Sequence, residues 1–195
     1  MNILKLKKEI KKNYFNYQDI ANILNISQNS ARVTASRYAE KGYLLRIKKG
    51  IYVFEDNWKR YDTETKFTFA NMIQTPSYIS LMSALSYYQI STQIQQDFIE
   101  SVSQKRSKTV DIQDTVFNFT KINTTLYCGF TRKEGFFIAE AEKAFLDALY
   151  LVSLGRYRFD FSSIDFDKLD RKEIEKLLGI FPDFVKKKAL LYGFI

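Results

Sequence analysis

Capping and turn residues divide the first third of the chain into short, closely spaced elements. Asn16 and Asp19 stand three residues apart, a spacing typical of a capping box at the start of a short helix. Ser27 is a favourable N-cap residue for a second helix, which we expect to run to Lys41, with Gly42 just beyond its last turn. This order of helix, tight turn and helix predicts a helix-turn-helix.

Two runs of β-forming residues follow Gly42 and enclose a basic turn. They are residues 43–47 and 51–54, and the turn between them is Lys48-Lys49-Gly50. Such runs around a glycine-containing turn predict a β-hairpin. Apolar residues interspersed with lysines before Asn13 predict a further helix at the start of the chain. The order of three helices and a basic hairpin predicts a winged helix-turn-helix.

The last of these three helices has two faces of different character. Ala31, Ala35 and Tyr38 recur at i, i+4 and i+7, so they share the face that we expect to pack inward. The opposite face offers amide and guanidinium groups, which suit base edges in the major groove, and a valine methyl group, which suits thymine. We therefore predict that DNA is read by Gln28, Asn29, Ser30, Arg32, Val33, Ser36 and Arg37.

All of the excess positive charge lies in residues 1–60. The net charge of the chain is +8; residues 1–60 contain thirteen basic and five acidic residues, and residues 61–195 contain seventeen of each. Because phosphate neutralisation drives affinity for nucleic acids, a polyanion that docks on residues 1–60 is the simplest explanation. The phosphate contacts are predicted to come from Lys48 and Lys49, with help from Lys5, Lys7 and Lys8. A solvated basic face and a protein-binding winged helix are the alternatives.

Residues 61–195 follow a different pattern, which predicts a larger α+β domain. Residues 76–80 lead into a short helix at 81–88, and segments that mostly alternate apolar and polar residues predict strands at 97–102, 109–112, 116–119, 126–130 and 135–138. Helices are expected at 139–154, 166–178 and 182–192. The predicted fold class is α+β: a winged helix-turn-helix domain at 1–60, followed by an α+β domain at 61–195 with a small mixed sheet and helices.

The composition excludes several classes of catalytic and metal site. The chain has no histidine, which removes histidine bases and histidine metal ligands, and its one cysteine, Cys128, removes internal disulfides and zinc ribbons. We interpret Asp165-Phe166-Asp167 as a capping signal, and Glu64-x-Lys66 as a chance spacing rather than part of a nuclease site. Gly-rich phosphate loops are absent from the sequence. We therefore expect no enzyme activity, no cofactor and no metal.

The sequence also allows a prediction of the cellular compartment. Lysines begin at Lys5, too early for the apolar segment of a signal peptide. No apolar run approaches the roughly 18 residues that a membrane-spanning helix needs. We expect a cytoplasmic protein with no membrane partner.

Three motifs resemble those of the AbiEi-type antitoxins. The first is Gly42-Tyr43-Leu44 with Lys49-Gly50-x-Tyr52 in the hairpin. The others are Pro76-Ser77-Tyr78-Ile79-Ser80-x-x-Ser83-Ala84-Leu85 and Glu142-Lys143-Ala144-x-x-Asp147. The resemblance covers residues 17–151. The family often has arginine where this chain has Lys49 and proline where it has Ala141; the first difference weakens bidentate phosphate contact at the hairpin.

The resemblance implies an antitoxin of a bacterial type IV toxin–antitoxin system, the kind associated with abortive infection and phage defence. Its partners would be double-stranded operator DNA, through which it represses its own operon, and a co-encoded nucleotidyltransferase-like toxin that it counters without necessarily forming a stable complex. Glu142, Lys143 and Asp147 are then either a functional motif of the antitoxin domain or structural ion pairs on one helix.

Two other functions stay open at this point. The first is a plain sequence-specific repressor whose C-terminal domain dimerises or binds a small ligand. The second is a DNA-processing enzyme. A toxin-like gene beside this one favours the antitoxin, and its absence favours the repressor.

Overall fold

The described residues of the computed structural model, 2–93 and 95–194, form two compact units that divide between Ile73 and Gln74. The boundary predicted after residue 60 therefore lies inside the first unit. The physical reason is aromatic packing: the buried ring of Trp58 stacks on that of Phe69, with centroids 5.8 Å apart. A chain cut after residue 60 would leave Trp58 without this partner.

The first unit contains the predicted helices and hairpin, and three elements that the sequence did not predict. Helix α1 ends earlier than expected, and the unpredicted elements are strand β1, a 3-10 helix after the hairpin, and helix α4. The order is α1 Asn2–Glu9, β1 Phe15–Asn16, α2 Tyr17–Leu24, α3 Gln28–Glu40, β2 Leu44–Lys48, β3 Ile51–Phe54, a 3-10 helix Glu55–Arg60, and α4 Thr63–Ile73.

The predicted caps begin and end the helices. The side chain of Asn16 accepts hydrogen bonds from the backbone N–H groups of Gln18 and Asp19, and the Asp19 carboxylate accepts one from the Asn16 N–H at 2.9 Å. This capping box confirms the predicted start of α2. The Ser27 hydroxyl accepts a hydrogen bond from the Ser30 N–H at the start of α3. Gly42 ends α3 in the left-handed region, with φ of +73°.

The small sheet of the first unit has the order β1-β3-β2 and is antiparallel. In strand β1, Phe15 pairs with Tyr52 of β3. The centroid of the Phe15 ring lies 4.8 Å from that of the Phe54 ring. Two residues are too few to show a period in the sequence, which is why β1 was missed. Around this sheet, the fully buried Leu6, Ile20, Ala31 and Ala35 belong to one hydrophobic core.

Among the described residues of the second unit, six strands form one mixed sheet of order β6-β7-β5-β4-β9-β8. The pairs β5–β7 and β4–β9 are parallel and the others antiparallel. This confirms the predicted fold class, α+β with an N-terminal helix-turn-helix. The elements are β4 Ser77–Ile79, α5 Leu81–Tyr87, β5 Phe98–Ser103, β6 Lys108–Ile112, β7 Thr115–Lys121, β8 Phe130–Arg132, β9 Phe137–Ala139, α6 Ala141–Ser153, α7 Arg171–Leu178 and α8 Asp183–Leu191.

Three predictions in this unit were wrong in detail. Residues 77–79 form β4 rather than a lead into the helix; all three are buried, so no alternation marks them as a strand. The strand expected at 126–130 is a 3-10 turn, Thr124–Leu126, and β8 starts only at Phe130. The helix expected at 166–178 is interrupted, because Asp170 caps a new helix at Arg171.

Among the described residues, no helix is long and apolar enough to cross a membrane.

Candidate nucleic-acid interface

Helix α3 presents an exposed face opposite the residues that fix it to the core. Ala31 and Ala35 are fully buried and Tyr38 nearly so, as predicted. Val33 on the opposite side is 68 % exposed, a large exposure for an apolar side chain. All seven residues predicted to read DNA are exposed; we call them the α3 face: Gln28, Asn29, Ser30, Arg32, Val33, Ser36 and Arg37.

Arg32 is the most firmly positioned cation of the α3 face. Its guanidinium carbon lies 4.5 Å from the centroid of the Tyr17 ring, and one guanidinium nitrogen donates a hydrogen bond of 3.1 Å to the Tyr17 hydroxyl. A guanidinium stacked on an aromatic ring loses less rotamer freedom when it binds a base or a phosphate. Tyr17 thus preorganises Arg32.

The first turn of α3 is also tied to α2. The Gln28 amide donates to the side-chain oxygen of Gln18, and the Gln18 amide donates to that of Asn22 at 3.2 Å. These bonds fix the predicted reader Gln28 and bring Gln18 to the same surface. Sequence reasoning did not include Gln18 among the candidates.

The hairpin, residues 44–54, carries its lysines at the tip and is called the wing below. Lys48 pairs with Ile51, which leaves Lys49 and Gly50 as the turn residues. Both lysines are exposed. Gly50 adopts a φ of +83°, which favours glycine, and a Cβ atom built there would lie 3.8 Å from the Tyr17 ring. The ring of Tyr17 therefore lies beside the wing turn.

Tyr17 is the functional candidate that the sequence did not reveal. The same side chain contacts Arg32 of α3 and lies against Gly50 of the wing. These two segments are brought together only by the fold, so neither helical nor strand periodicity marks the residue. Its position directly after the N-cap Asn16 was the only available signal.

The three lysines of α1, which were predicted to help in phosphate binding, differ in their surroundings. Lys7 forms an ion pair with Asp56 of the 3-10 helix, with Nζ and Oδ2 2.6 Å apart. Lys5 and Lys8 are exposed. Because Lys7 already has a carboxylate partner, it is the weakest of the three as a phosphate contact.

The first unit keeps the positive charge that was predicted for residues 1–60. Extending it to Ile73 adds Asp62, Glu64 and Lys66, so residues 1–73 hold fourteen basic and seven acidic residues. The α3 face and the wing tip contribute Arg32, Arg37, Lys48 and Lys49 to this excess. Among the ion pairs of the described residues, none uses these four cations.

Two of the motifs in the second unit meet in one buried cluster. Lys143 and Asp147 are fully buried and form an ion pair one turn apart on α6. The Lys143 ammonium donates to the Tyr78 hydroxyl at 2.9 Å, and the hydroxyls of Tyr78 and Ser80 each donate to the Asp147 carboxylate at 2.9 Å. Burial, and then the charge of Asp147, raise the pKa of Tyr78 well above its ordinary value.

Glu142 does not take part in this cluster. Its carboxylate accepts a hydrogen bond of 3.0 Å from the backbone N–H of Asp170, which begins α7. The structure therefore brings together Lys143 and Asp147 but separates them from the third predicted residue. A Cβ at Gly129 would lie 2.9 Å from the Lys143 side chain, so the lysine stem is packed directly against backbone. Both charged side chains are therefore enclosed by the surrounding residues and do not reach solvent.

A second buried acid was not anticipated from the sequence. The Glu100 carboxylate accepts hydrogen bonds from the Met82 backbone N–H at 3.1 Å and the Tyr157 hydroxyl at 2.9 Å. Burial raises the pKa of Glu100 to about 7, although these bonds act in the opposite direction. Leu81, just before Met82, has a φ of +56°. The carboxylate thus stabilises a strained entry into α5.

The acidic motifs considered from the sequence show no metal geometry. In Asp165-Phe166-Asp167, Asp165 forms an ion pair with Lys168 at 3.2 Å. Across residues 2–93 and 95–194, no group of three or more Cys, Asp or Glu side chains is arranged to hold a metal ion. Cys128 is a free, partly exposed thiol.

Comparison with protein families matches residues 5–54 to the model described as "Transcriptional regulator, AbiEi antitoxin". The match confirms the family resemblance for the N-terminal region. It runs from the middle of α1 to the end of β3 and therefore includes the α3 face and the wing. Comparisons with curated proteins and with solved structures give no significant match.

Proposed function

We propose that this chain is an antitoxin that binds double-stranded operator DNA through the α3 face and the wing and represses its own operon. The observation that carries the proposal is the position of Tyr17, which holds Arg32 on the α3 face and lies against Gly50 of the wing. A guanidinium fixed in this way favours bidentate contacts to guanine in the major groove, since these contacts depend on its orientation.

The two sets of residues have different roles in this proposal. Amide and guanidinium groups of Gln28, Asn29 and Arg32 would contact base edges, and the Val33 methyl groups would contact thymine. Lys48 and Lys49 at the wing tip would contact phosphates, which position the protein without reading sequence. The positive charge of the first unit supports both roles.

We assign the countering of a co-encoded nucleotidyltransferase-like toxin to the second unit. Lys143 and Asp147 are fully buried, so neither side chain is accessible to a partner protein in this conformation. Their role would be to hold β4 against α6 through Tyr78 and Ser80. Any surface that acts on the toxin or its substrate would then consist of other residues.

A matched pair of variants of the full chain tests the DNA-binding proposal. Arg32→Ala/Lys49→Ala removes one arginine and one lysine from the proposed interface, and Lys59→Ala/Arg60→Ala removes the same two charges from exposed positions at the end of the 3-10 helix. In a mobility-shift assay with the DNA upstream of the gene, the first variant should bind at least tenfold more weakly and the second within about threefold of wild type. Equal losses would show a non-specific charge effect and refute the proposal.

The antitoxin role needs a separate assay. The neighbouring toxin gene is expressed from an unrelated promoter, so that repression cannot protect the cell, together with the full chain or the Arg32→Ala/Lys49→Ala variant. Both should restore growth, because the proposal assigns protection to the second unit. If the full chain does not restore growth, the antitoxin role is wrong and a plain repressor is the better interpretation.

A further inference from the structure

The second unit contains a cleft that none of the roles above uses. It has a volume of about 460 Å³ and is lined by Lys121, Ile122, Asn123, Thr124, Tyr150 and Arg156. This volume lies in the range of small-molecule sites. Five of the six lining residues carry a polar or charged group, and none of the six is an acid.

Three separate pieces of chain build the cleft. Lys121 is the last residue of β7, and Asn123 and Thr124 begin the following 3-10 turn. Tyr150 lies in the last turns of α6. Arg156 is placed just beyond α6 by Gly155, which adopts a φ of +66°, and by a hydrogen bond of 2.9 Å from the Arg156 N–H to the Leu151 carbonyl.

Within residues 2–93 and 95–194, the two cations of the cleft have no carboxylate partner. Among the described residues, neither Lys121 nor Arg156 takes part in an ion pair, and both are exposed. Asp183 is the acid next to Phe184, whose ring stacks on that of Tyr150, but it is paired with Lys186 at 3.4 Å. The positive charge in the cleft is therefore not neutralised by these neighbours.

Further cations lie at the same end of the sheet. The Lys121 backbone N–H donates to the Ser107 hydroxyl at 2.9 Å, which brings the turn that carries Lys105 and Arg106 beside the end of β7. Burial, and then the charges of Arg106 and Lys105, lower the pKa of Lys108. Local positive charge is thus concentrated here, although residues 74–195 hold sixteen basic and fifteen acidic residues.

We propose that this cleft binds the phosphate group of a nucleotide. Arg156 and Lys121 would hold the phosphate oxygens, and the Asn123 and Thr124 side chains would complete the hydrogen bonding. A guanidinium binds phosphate through a planar fork, and an ammonium adds a point charge. The Tyr150 ring is the aromatic group on the wall of the cleft against which a base can pack. The phosphate comes either from a free nucleotide or from a nucleic-acid strand.

Calorimetric titration of the full chain with ATP, pyrophosphate and adenosine tests the phosphate recognition. ATP and pyrophosphate should bind and adenosine should not. Lys121→Ala/Arg156→Ala should weaken ATP binding at least tenfold. The matched control, Arg132→Ala/Lys133→Ala, removes the same two exposed charges at and beyond the end of β8, on the opposite edge of the sheet, and should bind within about twofold of wild type.

The source of the phosphate is distinguished with a short oligothymidylate, titrated into Lys48→Ala/Lys49→Ala to weaken binding through the wing. If the oligothymidylate binds and this binding is lost when Lys121→Ala/Arg156→Ala is added, the ligand of the cleft is a nucleic-acid strand. If ATP binds and the oligothymidylate does not, the ligand is a free nucleotide. Adenosine binding as tightly as ATP, equal losses in the two alanine pairs, or no binding of any phosphate compound would each overturn the proposal.

A second measurement on the unaltered chain does not depend on the variants folding. In a nitrogen-15 NMR titration with pyrophosphate, the amide signals of Asn123, Thr124 and Arg156 should shift. Shifts confined to residues outside the cleft would contradict the proposal.

Discussion

The guanidinium of Arg32 lies 4.5 Å from the centroid of the Tyr17 ring and donates a hydrogen bond of 3.1 Å to its hydroxyl. The same ring lies 3.8 Å from the position that a Cβ would occupy at Gly50. One tyrosine at the start of α2 therefore connects the exposed face of α3 with the wing. In the proposed complex it fixes the geometry of the two segments that contact DNA.

Tyr17→Phe is expected to weaken operator binding about 3- to 10-fold, because Arg32 loses a hydrogen-bond acceptor and becomes less ordered. Since the ring and its packing are retained, the melting temperature should change little. Binding is measured by fluorescence anisotropy and stability by thermal unfolding. Tyr43→Phe is the matched control: it removes the same hydroxyl group from a tyrosine that is 40 % exposed, and it should leave binding unchanged. Equal effects of the two substitutions would show that Tyr17 does not position Arg32.

Lys48→Ala/Lys49→Ala is expected to weaken specific and non-specific DNA binding alike. The slope of log K against log salt should fall by about 0.9 for each lost phosphate contact. Lys7→Ala should leave the slope unchanged, because Lys7 is paired with Asp56 at 2.6 Å. An unchanged slope in the double variant would place the wing away from DNA.

Lys143→Met is expected to destabilise the second unit by about 3–5 kcal/mol, because Asp147 would remain buried without its cation. Lys143→Met/Asp147→Leu, which removes both charges, should recover part of this loss. Both are measured by urea unfolding, with the exposed Lys133→Met as control. A normally stable Lys143→Met variant that fails to protect against the toxin would instead assign the lysine a direct functional role.

Glu100 gives the second unit a pH-dependent stability of definite sign. Its pKa in the folded chain is about 7, above its ordinary value of 4.5, so between these values the folded state binds more protons than the unfolded state. Stability therefore falls as the pH rises from about 4.5 to 7, by on the order of 3 kcal/mol. Glu100→Gln keeps an acceptor for the Met82 N–H and should remove this contribution to the slope. Equal pH profiles for the variant and the wild type would contradict the assignment.

Local signals in the sequence predicted the local structure well. The capping box of Asn16 and Asp19, the N-cap Ser27 and the glycine that ends α3 depend only on neighbouring residues, and each lies where the pattern indicated. The inward positions of Ala31 and Ala35 follow from helical period alone and are also confirmed. The family match at residues 5–54 covers the same region, in which these local predictions were made.

Features that depend on distant residues were not predictable in the same way. Strand β4 is buried at every position and lacks alternation, because it lies inside the sheet between β5 and β9. Glu100 meets Tyr157 across 57 residues of sequence, and no local pattern marks either residue. The stacking of Trp58 on Phe69 moves the boundary between the units to Ile73, since charge alone does not report aromatic packing.

The sequence preference of Arg32→Ala tests directly whether the α3 face reads DNA. Binding of the full-length variant and of the wild type is measured against the operator and a set of single-base variants of it, at one salt concentration. Arg32→Ala should lose about 1–3 kcal/mol of discrimination at the base pair that Arg32 contacts and keep its preferences elsewhere. A variant that binds every sequence with the same relative affinities as the wild type would show that the α3 face does not read DNA through Arg32.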